Sequence, residues 1–197
     1  MPIQRMAEIS HLWAEWYLFY TLFTPFDWGR NTPLKERTKD MKKILFVCWG
    51  NICRSPMAEY IFKDMVKKEG LSDKFHIESA ATSTEELGNP VYPPARDELK
   101  HHGIDCHGHH ARQVRKSDYD DFDYIIAMED IHHRIMRDRF FGGRDDKISL
   151  CMDYSSTPGK QIADPWYTGD FVTAYRQIEE GCRGLLDKIS KEDLGIY

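Results

Sequence analysis

A cysteine, a glycine and an arginine stand close together near residue 50 of this 197-residue chain. Cys48 follows a short apolar run, Gly50 comes next, and Arg54 lies six residues after the cysteine. A short loop here can turn its backbone N–H groups inward, and a following helix N-terminus adds positive potential. Cys48 would then lie as a thiolate at the base of an anion cradle, with Arg54 gripping two oxygens of a tetrahedral anion. This set of groups predicts thiol-based phosphoryl transfer.

The elements on either side of this loop must position it. Residues 44–47 are an apolar run of strand formers, typical of a strand buried on both faces. Ser55 and Pro56 predict the start of a helix, with a cap followed by proline in the first turn. Gly70 predicts the end of that helix. The loop therefore joins a buried strand to a helix, which is half of a βαβ unit.

The rest of the chain continues this alternation. We predict further strands at 75–80, 124–128 and 147–152, and further helices at 94–102, 130–140 and 171–189. The sequence thus predicts an α/β fold: a four-stranded parallel sheet with helices on both faces and a phosphate-binding loop after the first strand. Ligands of such sheets bind beyond the carboxyl ends of the strands.

Residues 1–40 differ from the remainder. Eight aromatic residues, including three of the five tryptophans, lie between Trp13 and Trp28. A charged run at 35–40 then precedes Met41. We predict an aromatic-rich extension and linker at 1–40 and the functional domain at 41–197. The extension is either loosely attached or a docking segment for a partner or a membrane surface.

Composition excludes several classes of protein. A net charge of -5 argues against a nucleic-acid partner. No stretch reaches the roughly 20 apolar residues of an integral membrane span. The five cysteines are an odd number without regular spacing, which predicts reduced thiols and a cytoplasmic location. Histidines and a cysteine crowd residues 106–110 without the separated ligand pairs of a zinc site, so no metal is predicted. The oligomeric state is not predicted.

A second chemical signal follows at Asp164, which precedes Pro165. Proline pushes the residue before it toward extended backbone, which suits a carboxylate projecting from a loop. Asp-Pro usually marks only a turn. The aromatic surface of Trp166 and Tyr167 beside it distinguishes this one.

The low-molecular-weight protein tyrosine phosphatases have a signature loop that closely resembles Val47-Cys-Trp-Gly-Asn-Ile-Cys-Arg-Ser-Pro56. The resemblance continues in order through residues 79–83, 109–113, 122–128 and 164–167. It covers 42–190 and none of 1–40.

This resemblance implies a protein tyrosine phosphatase that needs no cofactor and acts on phosphotyrosine-containing proteins through a phosphocysteine intermediate. Cys48 would be the nucleophile and Arg54 the phosphate clamp. Asp164 would protonate the leaving phenolate and then activate water. Phosphate and substrate would be bound by Trp49, Gly50, Asn51, Ile52, Cys53, Ser55, Trp166 and Tyr167. Ser83 and His109, with Asn51, would brace the loop.

Three alternatives share this fold or its ligand. Arsenate reductases of the fold use two further cysteines close together, whereas Cys106, Cys151 and Cys182 form no close pair in the sequence. Phosphoarginine phosphatases carry a smaller residue at the position of Ile52, so we expect phosphotyrosine to be preferred here. A non-catalytic phosphotyrosine-binding module would not need the complete set of catalytic residues.

Overall fold

The computed structural model of the protein describes residues 41–196. Four strands form one sheet, in which every pairing is parallel and the order is β2-β1-β3-β4. The strands are β1 (Lys42–Cys48), β2 (Phe75–Ala81), β3 (Tyr124–Ala127) and β4 (Ile148–Leu150). The predicted four-stranded parallel α/β sheet is confirmed.

Six α-helices accompany the sheet in the described part of the chain. They are α1 (Arg54–Lys68), α2 (Pro93–His101), α3 (Asp118–Asp121), α4 (Asp130–Ile135), α5 (Pro165–Thr168) and α6 (Phe171–Glu192). Three expected elements are shorter than predicted, and the strand predicted at 124–128 ends one residue early, at Ala127. The helix predicted at 130–140 continues after α4 as a π-helical turn, Met136–Phe140. The strand predicted at 147–152 ends at Leu150, because Cys151–Tyr154 turns into a 3₁₀ helix.

Both faces of the sheet are covered by helices. The β1 residues Ile44 and Phe46 pack in a cluster with α1, α2 and α6, and their neighbours Leu45 and Val47 pack in a second cluster on the opposite face. All four side chains are fully buried. Each such side chain contributes about 1.5–3 kcal/mol relative to remaining exposed. The alternate side chains of β1 thus pack on both faces of the sheet and hold in place the strand that ends at Cys48.

The long C-terminal helix α6 approaches the 3₁₀ helix after β4 very closely. A Cβ added to Gly184 would lie 1.7 Å from the carbonyl oxygen of Tyr154, which is far inside van der Waals contact. No residue with a side chain fits this crossing without moving backbone. Gly184 therefore permits the contact by which α6 covers the sheet.

The predicted extension at 1–40 and its boundary with the domain lie outside the described residues, and that division stays a prediction. Within residues 41–196, no helix is long and apolar enough to cross a membrane.

Candidate active site

The loop between β1 and α1 surrounds the sulfur of Cys48. Cys48 is the last residue of β1 and is buried. Its Sγ lies 3.0 Å from Ser55 Oγ and accepts a hydrogen bond from the Asn51 N–H at 3.3 Å. The sulfur is therefore within hydrogen-bonding distance of two groups at the loop.

Ser55 does not form the predicted helix cap, but it lies at the loop, among the groups that were predicted to bind phosphate. Helix α1 begins at Arg54, and no side-chain hydrogen bond caps it. The Ser55 hydroxyl instead lies between Cys48 Sγ and Asn51 Nδ2, which donates to it at 2.9 Å. The predicted cap is therefore wrong, and the hydroxyl is placed beside the thiol.

Asn51 holds the loop in a strained conformation. It is the one non-glycine residue between 41 and 196 with a left-handed backbone, at φ 58°. Its fully buried side chain also donates from Nδ2 to Ser79 Oγ at 2.8 Å, and its Oδ1 accepts from the Arg112 N–H at 3.0 Å. Left-handed geometry costs about 1–2 kcal/mol for such a residue, less for asparagine, and these bonds offset it.

His109 braces the same residue through its backbone. Its Nε2–H donates to the Asn51 carbonyl oxygen at 2.8 Å. Burial lowers the pKa of His109, which keeps the ring neutral with its proton on Nε2. The neighbouring histidines point elsewhere: His107 contacts Asp105, and His110 contacts the Gly88 carbonyl. Among residues 41–196, no three metal-ligating side chains converge.

Ser79, rather than the predicted Ser83, supplies the serine side chain that braces Asn51. Ser79 lies within β2, opposite Phe46 of β1, and it donates to the buried Glu59 carboxylate at 2.5 Å. Ser83 lies beyond the end of β2. It reaches the loop through its main chain, whose N–H donates to the Trp49 carbonyl at 3.0 Å, while its hydroxyl accepts from the Glu85 N–H.

Arg54 is buried, and two carboxylates hold its guanidinium. Nη1 donates to Glu129 Oε2 at 2.5 Å and to the Ile162 carbonyl at 2.8 Å. Nη2 donates to Asp164 Oδ2 at 2.7 Å. The Nε–H is buried and has no hydrogen-bond partner among the described residues. Because a guanidinium has five N–H donors, Nε–H and one N–H of Nη2 remain for an anion.

Asp164 connects Arg54 to a helix terminus. Its backbone is extended, at φ -74° and ψ 113°, as the following proline predicts. Its Oδ1 accepts from the Trp166 N–H at 3.1 Å, so the same carboxylate caps α5. The same hydrogen bond therefore fixes the carboxylate to the segment that carries the aromatic residues.

These groups line one pocket of about 150 Å³, together with aromatic and acidic side chains. Trp49, Trp166 and Tyr167 are 41%, 50% and 86% exposed, and flat surface of this kind suits an aromatic ring. The lining residues are Cys48, Trp49, Gly50, Ile52, Cys53, Arg54, Glu85, Glu86, Asp164, Trp166 and Tyr167.

Cys53 lies buried in the wall of this pocket. Burial raises the pKa of its thiol, and the nearby Cys48 and Asp164 add to the effect. Cys53 is therefore a neutral thiol beside the candidate nucleophile. Of these two cysteines, only Cys48 has its sulfur in contact with the Ser55 hydroxyl.

Sequence reasoning missed several acidic residues at this site. Glu129 follows β3, and Glu85 and Glu86 follow β2, so all three lie beyond carboxyl ends of strands, where ligands of parallel sheets bind. That position was the available signal. Glu59, one turn into α1, carried no comparable signal.

Comparison with known proteins agrees with this geometry. A profile of the low molecular weight phosphotyrosine protein phosphatase family matches residues 43–194. The low molecular weight protein-tyrosine-phosphatase YfkJ of Bacillus subtilis is 41% identical over 153 residues, which cover 77% of this chain and 98% of YfkJ. The YfkJ crystal structure matches with a TM-score of 0.74 at 42% identity, covering 77% of this chain and 96% of that one.

Two further relatives illustrate the range of the matches. The human low molecular weight phosphotyrosine protein phosphatase is 40% identical over 151 residues, covering 75% of this chain and 95% of its own. The crystal structure of a Drosophila arginine phosphatase matches with a TM-score of 0.67 at 34% identity, covering 77% and 99% of the two chains. With its profile match over 43–194, the chain belongs to the low molecular weight phosphotyrosine protein phosphatase family.

Proposed function

We propose that this protein is a cysteine-dependent protein tyrosine phosphatase that hydrolyses phosphotyrosine through a phosphocysteine intermediate. One observation carries the proposal. Cys48, Arg54 and Asp164 line the same pocket, and the buried Nε–H of Arg54 has no hydrogen-bond partner among the described residues. A nucleophile, an anion clamp and a proton donor are what phosphomonoester cleavage requires.

In the first step, the Cys48 thiolate attacks phosphorus, and the bond from phosphorus to the tyrosyl oxygen breaks. Arg54 holds two phosphate oxygens through Nε–H and Nη2–H, and backbone N–H groups of the loop hold the others. The departing phenolate takes its proton from Asp164. The products are a phosphocysteine and a tyrosine.

In the second step, water attacks the phosphocysteine while the Asp164 carboxylate accepts a proton from it. The sulfur–phosphorus bond breaks, and inorganic phosphate leaves. The Ser55 hydroxyl, 3.0 Å from Cys48 Sγ, donates to the thiolate as it departs. Asn51 and His109 keep the loop in the conformation that both steps need, and Ser79 supports Asn51.

Aromatic residues at the pocket mouth support phosphotyrosine as the substrate. Helix α5 presents Trp166 and Tyr167, and the Trp166 ring packs on Tyr92 with the centroids 4.7 Å apart. Trp49 faces the same pocket from the loop. Ile52 adds an apolar wall, which an aryl ester can contact without leaving polar groups unpaired.

Phosphoarginine hydrolysis is the second candidate, because the structure of the Drosophila arginine phosphatase matches this chain over 99% of the length of that phosphatase. Burying a guanidinium against Ile52 would leave donors unpaired, at a cost of about 1–3 kcal/mol. We therefore expect kcat/KM on matched peptides to favour phosphotyrosine by about one to two powers of ten. Equal values on the two peptides would favour the second candidate.

The decisive experiment replaces the nucleophile. Cys48→Ser should abolish turnover of phosphotyrosine peptides while vanadate still binds, since Arg54 and the loop amides remain. Cys106→Ser is the control, because Cys106 is also buried but lies outside the pocket lining. Measurable turnover by Cys48→Ser would rule out the phosphocysteine mechanism.

We also propose that the protein acts on phosphotyrosine-containing proteins in the cytoplasm. All five cysteines are free thiols, as in a reducing compartment. Cys106, Cys151 and Cys182 are buried in the main hydrophobic cluster and do not line the pocket, which supports ester hydrolysis over arsenate reduction.

A further inference from the structure

Two carboxylates at the pocket wall have no part in the proposed chemistry. Glu85 Oε2 accepts from Trp49 Nε1 at 2.9 Å. Glu86 Oε2 accepts from Asn89 Nδ2 at 2.7 Å, and its Cγ lies 3.1 Å from the position that a Cβ on Gly50 would take. Both glutamates are therefore held against the loop that surrounds Cys48.

No cationic side chain of the described residues neutralises these two charges. Within residues 41–196, neither Glu85 nor Glu86 forms a salt bridge, whereas Asp164 in the same pocket is paired with Arg54. Three carboxylates and one guanidinium thus line the pocket. The surplus of negative charge is concentrated on Glu85 and Glu86.

The Arg54 side chain indicates where an anion would bind in this pocket. Arg54 lines this pocket and is 2% exposed, and its buried Nε–H has no hydrogen-bond partner among the described residues. A buried donor without a partner is costly unless a ligand accepts from it. A phosphate dianion that fills this place lies near two uncompensated glutamates, which repel it.

We infer that Glu85 and Glu86 select substrates in which lysine or arginine lies next to the phosphotyrosine. This inference rests on the proposed function. A cationic neighbour pairs with the two carboxylates and removes their repulsion of the phosphate, while an acidic neighbour increases it. The pocket then recognises a phosphate together with an adjacent positive charge.

The test measures kcat/KM on three phosphotyrosine peptides that differ only in having lysine, alanine or glutamate on both sides of the phosphotyrosine. The unchanged protein should prefer the lysine peptide over the glutamate peptide by about tenfold, as expected for two partly exposed charge pairs. The preference should shrink as salt is raised, because screening weakens such pairs.

The double variant Glu85→Gln/Glu86→Gln keeps both oxygen acceptors and removes both charges. It should reduce the preference to about twofold or less, since only the two charges are lost. The control Glu179→Gln/Asp187→Asn removes the same charge from exposed positions on α6 outside the pocket lining, and it should keep the preference. Melting temperatures of both variants show that they are folded.

Two results would overturn the inference. One is that the unchanged protein hydrolyses all three peptides with nearly equal kcat/KM on the lysine and glutamate peptides. The proposed function would then hold without this inference. The other is a preference that persists in Glu85→Gln/Glu86→Gln. Failure to hydrolyse any of the three peptides would reject the proposed function and this inference with it.

Discussion

The N–H donors of Arg54 have two kinds of partner: groups of the protein that fix the guanidinium, and the phosphate that we expect to bind. Glu129 and the Ile162 carbonyl hold Nη1 from behind, so the plane of the guanidinium is set by the protein. Asp164 holds Nη2 on the pocket side. A phosphate oxygen can take the second N–H of Nη2 without disturbing Nη1. The arginine is therefore oriented before any substrate binds.

Asp164→Asn tests the acid at the residue scale. Asparagine keeps an oxygen that can cap α5, so the fold should survive. Its amide cannot act as a general acid toward the leaving group. We expect kcat on phenyl phosphates to fall by about 10²–10⁴-fold, the usual effect of a positioned acid. The loss should become smaller as the leaving group improves.

Asp170→Asn is the matched control for this variant, because Asp170 caps α6 in the same manner outside the pocket lining. It should leave kcat unchanged. A loss in Asp164→Asn that does not depend on the leaving group would assign Asp164 a purely positioning role.

Ile52→Thr tests substrate choice. Ile52 is buried in the pocket wall, where it packs with Cys53 and Ala111, and we expect the first atoms of the leaving group to pass it. A hydroxyl there offers an acceptor to guanidinium donors, so the phosphoarginine-to-phosphotyrosine ratio of kcat/KM should rise by about tenfold. Turnover of para-nitrophenyl phosphate should change little. An unchanged ratio would show that Ile52 does not set the preference.

At the scale of the elements, β2 braces the loop that follows β1. Ser79 connects Asn51 to Glu59, so its hydroxyl joins β2, the loop and α1. Ser79→Ala removes both of these hydrogen bonds. It should lower kcat/KM by about tenfold, because the bond to Asn51, about 1–1.5 kcal/mol, supports a strained backbone.

Ser83→Ala is the comparison that distinguishes the two serines. Its main-chain bond to Trp49 survives the substitution, so activity should stay within about twofold, as is usual for surface changes. A larger loss of kcat/KM in Ser83→Ala than in Ser79→Ala would restore the assignment made from the sequence.

The difference between these serines shows what the sequence could predict. The strands and helices were predictable because apolar periodicity is local. Cys48 and Arg54 stood out through their spacing between a buried strand and a helix, and the resemblance implied the role of Asp164. Contacts between distant segments were not predictable. Ser79 meets Asn51 only because β2 pairs with β1 in one particular register. Ser55 was expected to cap a helix because a serine between the loop and α1 can either cap the helix or contact the Cys48 sulfur, as it does in the structure.

At the scale of the whole molecule, His132 couples stability to pH. It is 1% exposed, its Nδ1 has no hydrogen-bond partner among the described residues, and its Nε2 lies 3.8 Å from Glu129, which Arg54 already pairs. Burial and then the charge of Arg54 lower the pKa of His132 from 6.5 to about 3. The unfolded chain therefore binds a proton that the folded protein does not.

This shift has a definite sign. Its effect on stability is absent above pH 6.5, and stability falls as the pH decreases from 6.5 toward about 3. Between pH 6.5 and 5 the loss should be about 2 kcal/mol. Denaturant unfolding at pH 7.5 and pH 5 measures it. His132→Gln should reduce the difference between the free energies of unfolding at the two pH values, whereas His133→Gln should not. The same difference in all three proteins would contradict this role of His132.

The crossing at Gly184 has a consequence for how this protein would respond to random substitution. In a deep mutational scan, position 184 should tolerate no replacement, just as Cys48 should not, although it lies outside the pocket lining. The two positions would differ in cellular abundance: variants at 184 should be depleted as protein, whereas Cys48→Ser should accumulate normally. A scan scored by growth alone would therefore mistake a steric requirement for a catalytic one.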